Sequence, residues 1–210
     1  MLCLITMFSC EKTDFSESSS VNTLEQIEWE QLPEAAKKAL ESNDSITSSF
    51  DPERDTNQPE DNYRNCVGLH SITGTAGGVR GDKFFIYPES DCDVISVVLV
   101  RAGIYIDGIL IGYKRPDGTE YFRGTGGSGG TWYFMGFSSN EFIRFIEVKI
   151  GIYVDKLRIQ TNLNDCSFGG NGGHTTVKYG IGSPHRQIKG FHGNSAALID
   201  NIGALIYARN

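Results

Sequence analysis

Two short motifs recur in step along this chain, and together they leave few folds open. Gly126-Gly127-Ser128-Gly129-Gly130 returns as Gly169-Gly170-Asn171-Gly172-Gly173, and a frayed copy, Gly77-Gly78-Val79-Arg80-Gly81, precedes both. The starts lie 49 and 43 residues apart. Each loop runs into a strand-like stretch, at 83–87, 131–134 and 174–179. The second motif, Gly103-Ile104-Tyr105-Ile106-Asp107, is matched 48 residues later by Gly151-Ile152-Tyr153-Val154-Asp155. Another 45 residues on comes Ala196-Ala197-Leu198-Ile199-Asp200, the same element with its Gly and Tyr gone. A period of this length marks supersecondary units that bury their apolar faces against one another.

From about Cys66 onward the apolar residues show no sustained 3.6-residue period. Ile95 to Val100, Phe142 to Ile150, Leu157 to Thr161 and Ile202 to Tyr207 are short runs rich in Val, Ile, Phe and Tyr. Turn signals such as Pro116-Asp117-Gly118 and Gly182-Ser183-Pro184 divide them. The expectation is an all-β domain over 66–210 with about a dozen strands. Four strands per unit and three units imply three antiparallel Greek-key sheets around a pseudo-threefold axis, with apolar faces inward and few open edges.

The first 65 residues read differently. They hold 14 acids and 5 bases, while the remaining 145 hold 12 acids and 14 bases. An acidic leader on a nearly neutral domain argues against a nucleic-acid partner, which needs a basic face. Leu2 to Phe8 is mostly apolar and too short to span a bilayer. With Ser9, Cys10 and the polar stretch that follows, it resembles the end of a bacterial lipoprotein signal, although Met7 stands where leucine is usual. In that reading residues 1–10 are the signal, and Cys10 becomes the lipidated N-terminus that anchors the protein to a membrane. Residues 11–65 would then be a tether. Leu24, Ile27, Leu32, Ala35, Ala36, Ala39 and Leu40 recur at helical spacing and predict a short helical segment, one helix or two, over 24–40. Residues 41–65, polar and acidic with Pro52 and Pro59, read as a linker.

The joint recurrence of the two motifs resembles the jacalin-related lectins, the β-prism I fold, and specifically their mannose-binding, three-site members. The segment Ile188 to Ser195, followed by Leu198-Ile199-Asp200-Asn201-Ile202-Gly203, is similar to that family's C-terminal signature. The resemblance covers about residues 66–209 and implies a metal-independent lectin for mannose- or glucose-type glycans, with no cofactor. It also implies that each G-x-x-x-D loop pairs with the next glycine loop. Site one would join Gly103, Ile104, Tyr105 and Asp107 to Gly126, Gly127, Gly129 and Gly130. Site two would join Gly151, Ile152, Tyr153 and Asp155 to Gly169, Gly170, Gly172 and Gly173. A third would join Asp200 to Gly77 and Gly78. That one departs from the pattern, with Ala196 for Gly, Leu198 for Tyr and Arg80 inserted in the loop. Alanine at a position needing positive φ is costly, so the third site is expected to be weak.

These residue types suit a sugar. A hexose offers hydroxyls and one apolar face but no charge. A carboxylate accepts two charge-assisted hydrogen bonds from neighbouring hydroxyls, and glycine amides donate without a Cβ in the way. Tyrosine packs along the sugar face. The alternative is a β-prism that has lost sugar binding and serves as a surface interaction module. Ile104 and Ile152, where some relatives carry a polar residue, motivate it, and burial of both carboxylates would favour it. Catalysis is not expected. A glycosidase pair needs carboxyls about 5–10 Å apart, whereas Asp107 and Asp155 belong to equivalent corners of different units. His70, His174, His185 and His192 have no metal-ligand spacing. Cys66, Cys92 and Cys166 remain after the leader; an exported protein can form one disulfide among them, with three pairings open.

Overall fold

A computed structural model describes residues 9–12, 21–23, 25–41, 66 and 68–209. Most of the signal-like segment, Leu24 and the acidic stretch 42–65 lie outside the described residues. The N-terminal part contributes β1 (Ser9–Lys12), β2 (Val21–Thr23), β3 (Glu25–Ile27), a 3-10 turn at Trp29–Gln31 and α1 (Glu34–Glu41). The domain then follows as β4 (Leu69–Ile72), β5 (Ala76–Gly77), β6 (Asp82–Ile86), β7 (Val94–Ala102) and β8 (Ile106–Lys114). Next come β9 (Glu120–Gly126), β10 (Thr131–Gly136), β11 (Ile143–Ile150) and β12 (Val154–Thr161). The last are β13 (Asn164–Gly169), β14 (Thr175–Gly180), β15 (Arg186–Ser195) and β16 (Ile199–Ala208).

The strands make three antiparallel faces. One is ordered β10-β7-β8-β9 and the second β14-β11-β12-β13. In both, the fourth strand of the unit returns beside the first, which is the Greek-key order. The third face has the same order but is stitched from both ends of the domain. There β6 flanks β15, β15 pairs with β16, and β4 and β5 run along the far side of β16. The second and third faces touch in register only through Ile143 and Ile188. This is the prism expected from the repeats.

Alternation explains which side faces in. Along β12, Leu157 and Ile159 are buried while Lys156, Arg158 and Gln160 face outward. The inward residues join Val98, Ile109, Ile146, Val148, Phe168, Phe191 and Ile202 in one core. The outward ones form a charged lattice. Arg158 grips Asp165 with two bonds of 2.7 and 2.5 Å, and Glu147 takes Lys178 at 2.7 Å.

The first face breaks the pattern, because β8 is buried on both sides as far as Tyr113. Its outer side carries Val97, Leu99, Leu110 and Trp132, and the N-terminal segment covers them with Ile27, Leu32 and Ala36. The short helix expected within 24–40 is present as α1, but the residues before it are not α-helical. Ile27 lies in a strand, β3, paired with Trp132 of β10. Pro33 pushes the residue before it out of the helical region, and Leu32 accordingly sits at φ −63°, ψ 141°. Only after Pro33 does the chain turn α-helical, with the Pro33 carbonyl accepting from Ala36 and Lys37 N at 2.9 and 3.0 Å. The segment is thus part of the domain's packing.

Cys66 and Cys92 form a disulfide with Cα atoms 4.9 Å apart. Cys166, fully buried in β13, is disulfide-bonded as well, so the expectation of a single bridge falls short. Its cross-strand neighbour in the β1 pair is Cys10.

Candidate functional site

All three G-x-x-x-D elements lie at one end of the prism, each closing against a glycine loop. Gly127 N donates to Asp107 O at 2.7 Å, Gly170 N to Asp155 O at 2.9 Å and Gly78 N to Asp200 O at 2.8 Å. The structure therefore brings together the residue sets that the sequence pairs, including the third.

Each glycine of the loop has its own reason. The first, Gly77, Gly126 or Gly169, has φ of +132°, +123° or +90°, and the fifth, Gly81, Gly130 or Gly173, has +75°, +70° or +72°; side chains rarely adopt such values. The second packs against a neighbouring unit. A Cβ on Gly127, Gly170 or Gly78 would come within 2.6 Å of the carbonyl group of Ala197, Ile104 or Ile152 respectively. The fourth, Gly129 or Gly172, faces the carboxylate: an added Cβ would stand 3.2 Å from the carboxyl carbon of Asp107 or Asp155 and nearer still to Oδ1. Sequence reasoning saw half of this. It paired Asp107 with the loop that follows it, but not Ile104 with Gly170, whose amide donates to the Ile104 carbonyl at 3.2 Å. The three loops form a closed ring in which each unit leans on another.

Two expectations about the third unit need correction. Arg80 is no insertion; counted from Gly77 it occupies the fourth position, where the other loops have Gly129 and Gly172. Ala196 is not strained either. Gly103 and Gly151 do not stand at positive φ, and Ala196 N donates to Leu198 O at 2.9 Å, as Gly103 does to Tyr105 O at 3.0 Å. What distinguishes the third notch is Arg80 beside its carboxylate, together with Asn201, whose amide hydrogen-bonds the Gly78 carbonyl.

The carboxylates are recessed. Asp107, Asp155 and Asp200 are 7%, 5% and 3% exposed. Burial raises the Asp107 carboxyl above its ordinary value, opposed by Arg101 and a backbone amide of Gly103. Asp200 is raised by burial too, with Arg80 opposing. Asp155 Oδ2 is buried with no hydrogen-bond partner in the protein, and an unpaired buried carboxylate oxygen is costly. Above the notches Ile104 and Ile152 are each 72% exposed. Tyr105 and Tyr153 meet edge to face with centroids 5.5 Å apart, so the two tyrosines share one wall between the first and second notches.

Residues that the motifs do not include pin the loops. Arg101 Nη1 donates to Gly127 O at 3.3 Å, Lys149 Nζ to Asn171 O at 2.9 Å and Asn194 Nδ2 to Gly81 O at 3.1 Å. All three sit two residues before the motif's first position, an offset the sequence displays without its purpose. Arg101 also lies over the Trp132 ring at 5.5 Å, linking the first notch to the N-terminal segment packed on Trp132. His192 hydrogen-bonds the Thr73 carbonyl at 2.9 Å and stacks on Phe85. Among the described residues no cluster of three His, Cys, Asp or Glu could hold a metal.

The jacalin-like lectin domain model matches residues 73–205, well over half of the chain. The chain belongs to the jacalin-like lectin family. Among solved structures, this jacalin-like chain is similar to the Malaysian banana lectin, at 27% identity and a TM-score of 0.59, with 67% of this chain and 99% of that one covered. The agglutinin of Calystegia sepium shares the fold at 20% identity and a TM-score of 0.57, covering 66% of this chain and 97% of the agglutinin. The mannose-binding jacalin-related lectin of Ananas comosus does so at 22% identity and 0.54, covering 66% and 97%. The uncovered third of this chain is about the size of its N-terminal part, including the segment packed on Trp132.

Proposed function

We propose that this chain is a carbohydrate-binding lectin that takes mannose- or glucose-type glycans, without a metal, at two notches built on Asp107 and Asp155. The observation that carries the reading is Asp155 Oδ2, buried beside Gly151 and Gly173 with no protein partner. A sugar hydroxyl donating to it supplies the missing hydrogen bond. The first notch repeats the second at eight of ten motif positions, with Ile106 for Val154 and Ser128 for Asn171, and the mannose-binding lectin of Ananas comosus shares the fold. The third notch is left out, since Arg80 stands where glycine faces the carboxylate elsewhere. Each notch alone is weak; two on a rigid body raise avidity through effective concentration. On a glycan array, Asp107→Ala combined with Asp155→Ala removes the mannoside and glucoside signals, and a double variant that binds like the parent overturns the site assignment.

The low exposure of Asp107 and Asp155 favours a second reading, a surface interaction module without sugar binding. It predicts no calorimetric signal with any sugar and a protein partner recovered by pull-down.

We also propose that the protein is exported and lipid-anchored at Cys10 on a bacterial surface. The Cys66–Cys92 disulfide supports export. A thioether-linked lipid on Cys10 and a disulfide through that residue exclude each other, because both use the same sulfur. Intact-mass measurement before and after reduction separates them: a diacylglyceryl increment that survives reduction supports the anchor, and its absence from membrane-extracted protein refutes it.

A further inference from the structure

The end of the prism remote from the notches carries a groove of about 530 Å³, lined by Phe142, Arg144, Phe145, Gly182, Pro184 and Arg209 among others. Strand β11 starts at this groove and ends at the second notch, so at ~3.3 Å per residue the two lie roughly 20 Å apart. A smaller hollow of about 230 Å³ adjoins it across Phe142 and Arg209.

Local backbone features position its cationic walls. Arg144 is the extra residue of a β-bulge, since the register of β11 against β12 jumps between Ile143 and Phe145. Bulges of this kind re-aim a side chain. The Arg144 carbonyl accepts from Ile181 N at 3.0 Å, which ties the bulge to the opposite wall. Gly182, at φ +65°, turns the chain toward Ser183, and Arg186 Nη1 comes within 3.8 Å of where a Gly182 Cβ would stand. Arg209 is held from two sides: its N donates to His185 O at 2.7 Å, and its guanidinium lies 3.8 Å from the Phe142 ring centroid. A guanidinium stacked on a ring keeps its N–H edge available for an anion.

Among the described residues no carboxylate answers these charges. Arg115, Arg123 and Arg158 all have acidic partners, whereas Arg144, Arg186 and Arg209 have none among the described residues. Glu141, in the adjoining hollow, is buried and engaged. It accepts from Thr161 Oγ1 at 2.6 Å, Asn164 Nδ2 at 2.6 Å and Ser138 N at 3.2 Å.

We propose that this groove is a second binding site, specific for an acidic saccharide: a pyranose bearing a carboxylate or a sulfate. Arginine forks match the oxygens of either group. The half-buried Phe145 ring offers apolar surface for the C–H side of the sugar, and the volume falls within the roughly 300–1,000 Å³ of small-ligand sites. The site is independent of the two notches and of what they bind.

The test is an NMR titration of the full chain with glucuronate, glucose 6-sulfate, neutral glucose and inorganic sulfate. Glucuronate or glucose 6-sulfate should saturate, shift the Gly180 to Ser183 amides and survive excess methyl α-mannoside. Glucuronate alone, or glucose 6-sulfate alone, identifies the anion. Arg144→Gln and Arg209→Gln should each weaken binding at least about tenfold, and Arg144→Lys, which keeps the charge but loses the fork, should fall between. Three results overturn the proposal: no saturation by either acidic sugar, equal affinity for inorganic sulfate, or full binding in both glutamine variants. Loss of mannoside binding in the same titrations would count against the notches alone.

Discussion

Replacing Gly129 or Gly172 by alanine separates the carboxylate from the loop that faces it. Neither glycine stands at positive φ, so the backbone tolerates alanine. The new Cβ would lie 3.2 Å from the carboxyl carbon of Asp107 or Asp155, inside the ~3.5–4.0 Å at which carbon atoms rest. Something must give, and the third loop indicates what. It carries Arg80 at the same position, yet its first and fifth glycines keep φ values of +132° and +75°, close to the +123° and +70° of the first loop. The loop therefore holds its course and the carboxylate swings away. A hexose held by that carboxylate loses at least one charge-assisted hydrogen bond, ~1.5–3 kcal/mol, or roughly ten- to a hundredfold in affinity. Calorimetry with methyl α-mannoside reads this directly. The parent titrates with two sites per chain, Gly129→Ala with one, and the double variant gives no heat over the same range, with thermal midpoints near the parent's. A double variant that still titrates with two sites of unchanged affinity would refute the claim that these oxygens hold the sugar.

Other perturbations test the fold and its electrostatics. Because burial raises the Asp107 carboxyl, the folded chain binds the proton more readily than the unfolded one, and stability falls as pH rises through that window. Asp107→Asn should therefore raise the thermal midpoint at neutral pH, with a gain that disappears below the ordinary carboxylate range, while silencing the first notch in calorimetry. Lys189, buried against Tyr207 with its Nζ on the Asp91 carbonyl at 2.6 Å, is lowered by burial to about 8. The unfolded chain holds that proton to about 10.4, so stability should climb between those values, and Lys189→Met should flatten the rise in a pH series of denaturation curves. Cys66 and Cys92 are 26 residues apart; Cys66→Ser with Cys92→Ser should cost about 3.5 kcal/mol by loop-closure entropy, read from urea midpoints. Leu32→Ala, in the contact with Trp132, should cost about 2–5 kcal/mol of that packing and red-shift tryptophan fluorescence.

Much of the architecture was legible because the repeats are backbone requirements written in residue type. A positive φ at Gly126 or Gly169 and a carboxylate beside Gly129 or Gly172 leave glycine as the residue that fits, so the loops are visible as letters. Contacts between units are not. Nothing local in Ile104 says that its carbonyl meets Gly170, because any residue supplies a carbonyl. The N-terminal segment is only half legible for a related reason: Ile27 and Leu32 fit the helical period that α1 follows, but Pro33 and pairing with β10 outweigh it there, and the pairing partner of Ile27, Trp132, lies 105 residues away. The bulge at Arg144 was hidden as well, since a register shift depends on the partner strand. Ala196 shows the opposite error, a strain inferred from residue type that the backbone does not impose.

The ring of loops has a bearing on how such a protein can change. Ile104, Ile152 and Ala197 each rest on the second glycine of a neighbouring unit, so the crown works as an arch without a free end. A unit can forfeit its ligand chemistry and remain indispensable as masonry. The third unit, which has Arg80 and Leu198 in place of glycine and tyrosine, is a keystone whatever it binds, for its Ala197 props Gly127 of the first loop. Engineering that treats 196–198 as a vacant surface loop would unseat Gly127 in the glycine loop of the adjacent unit.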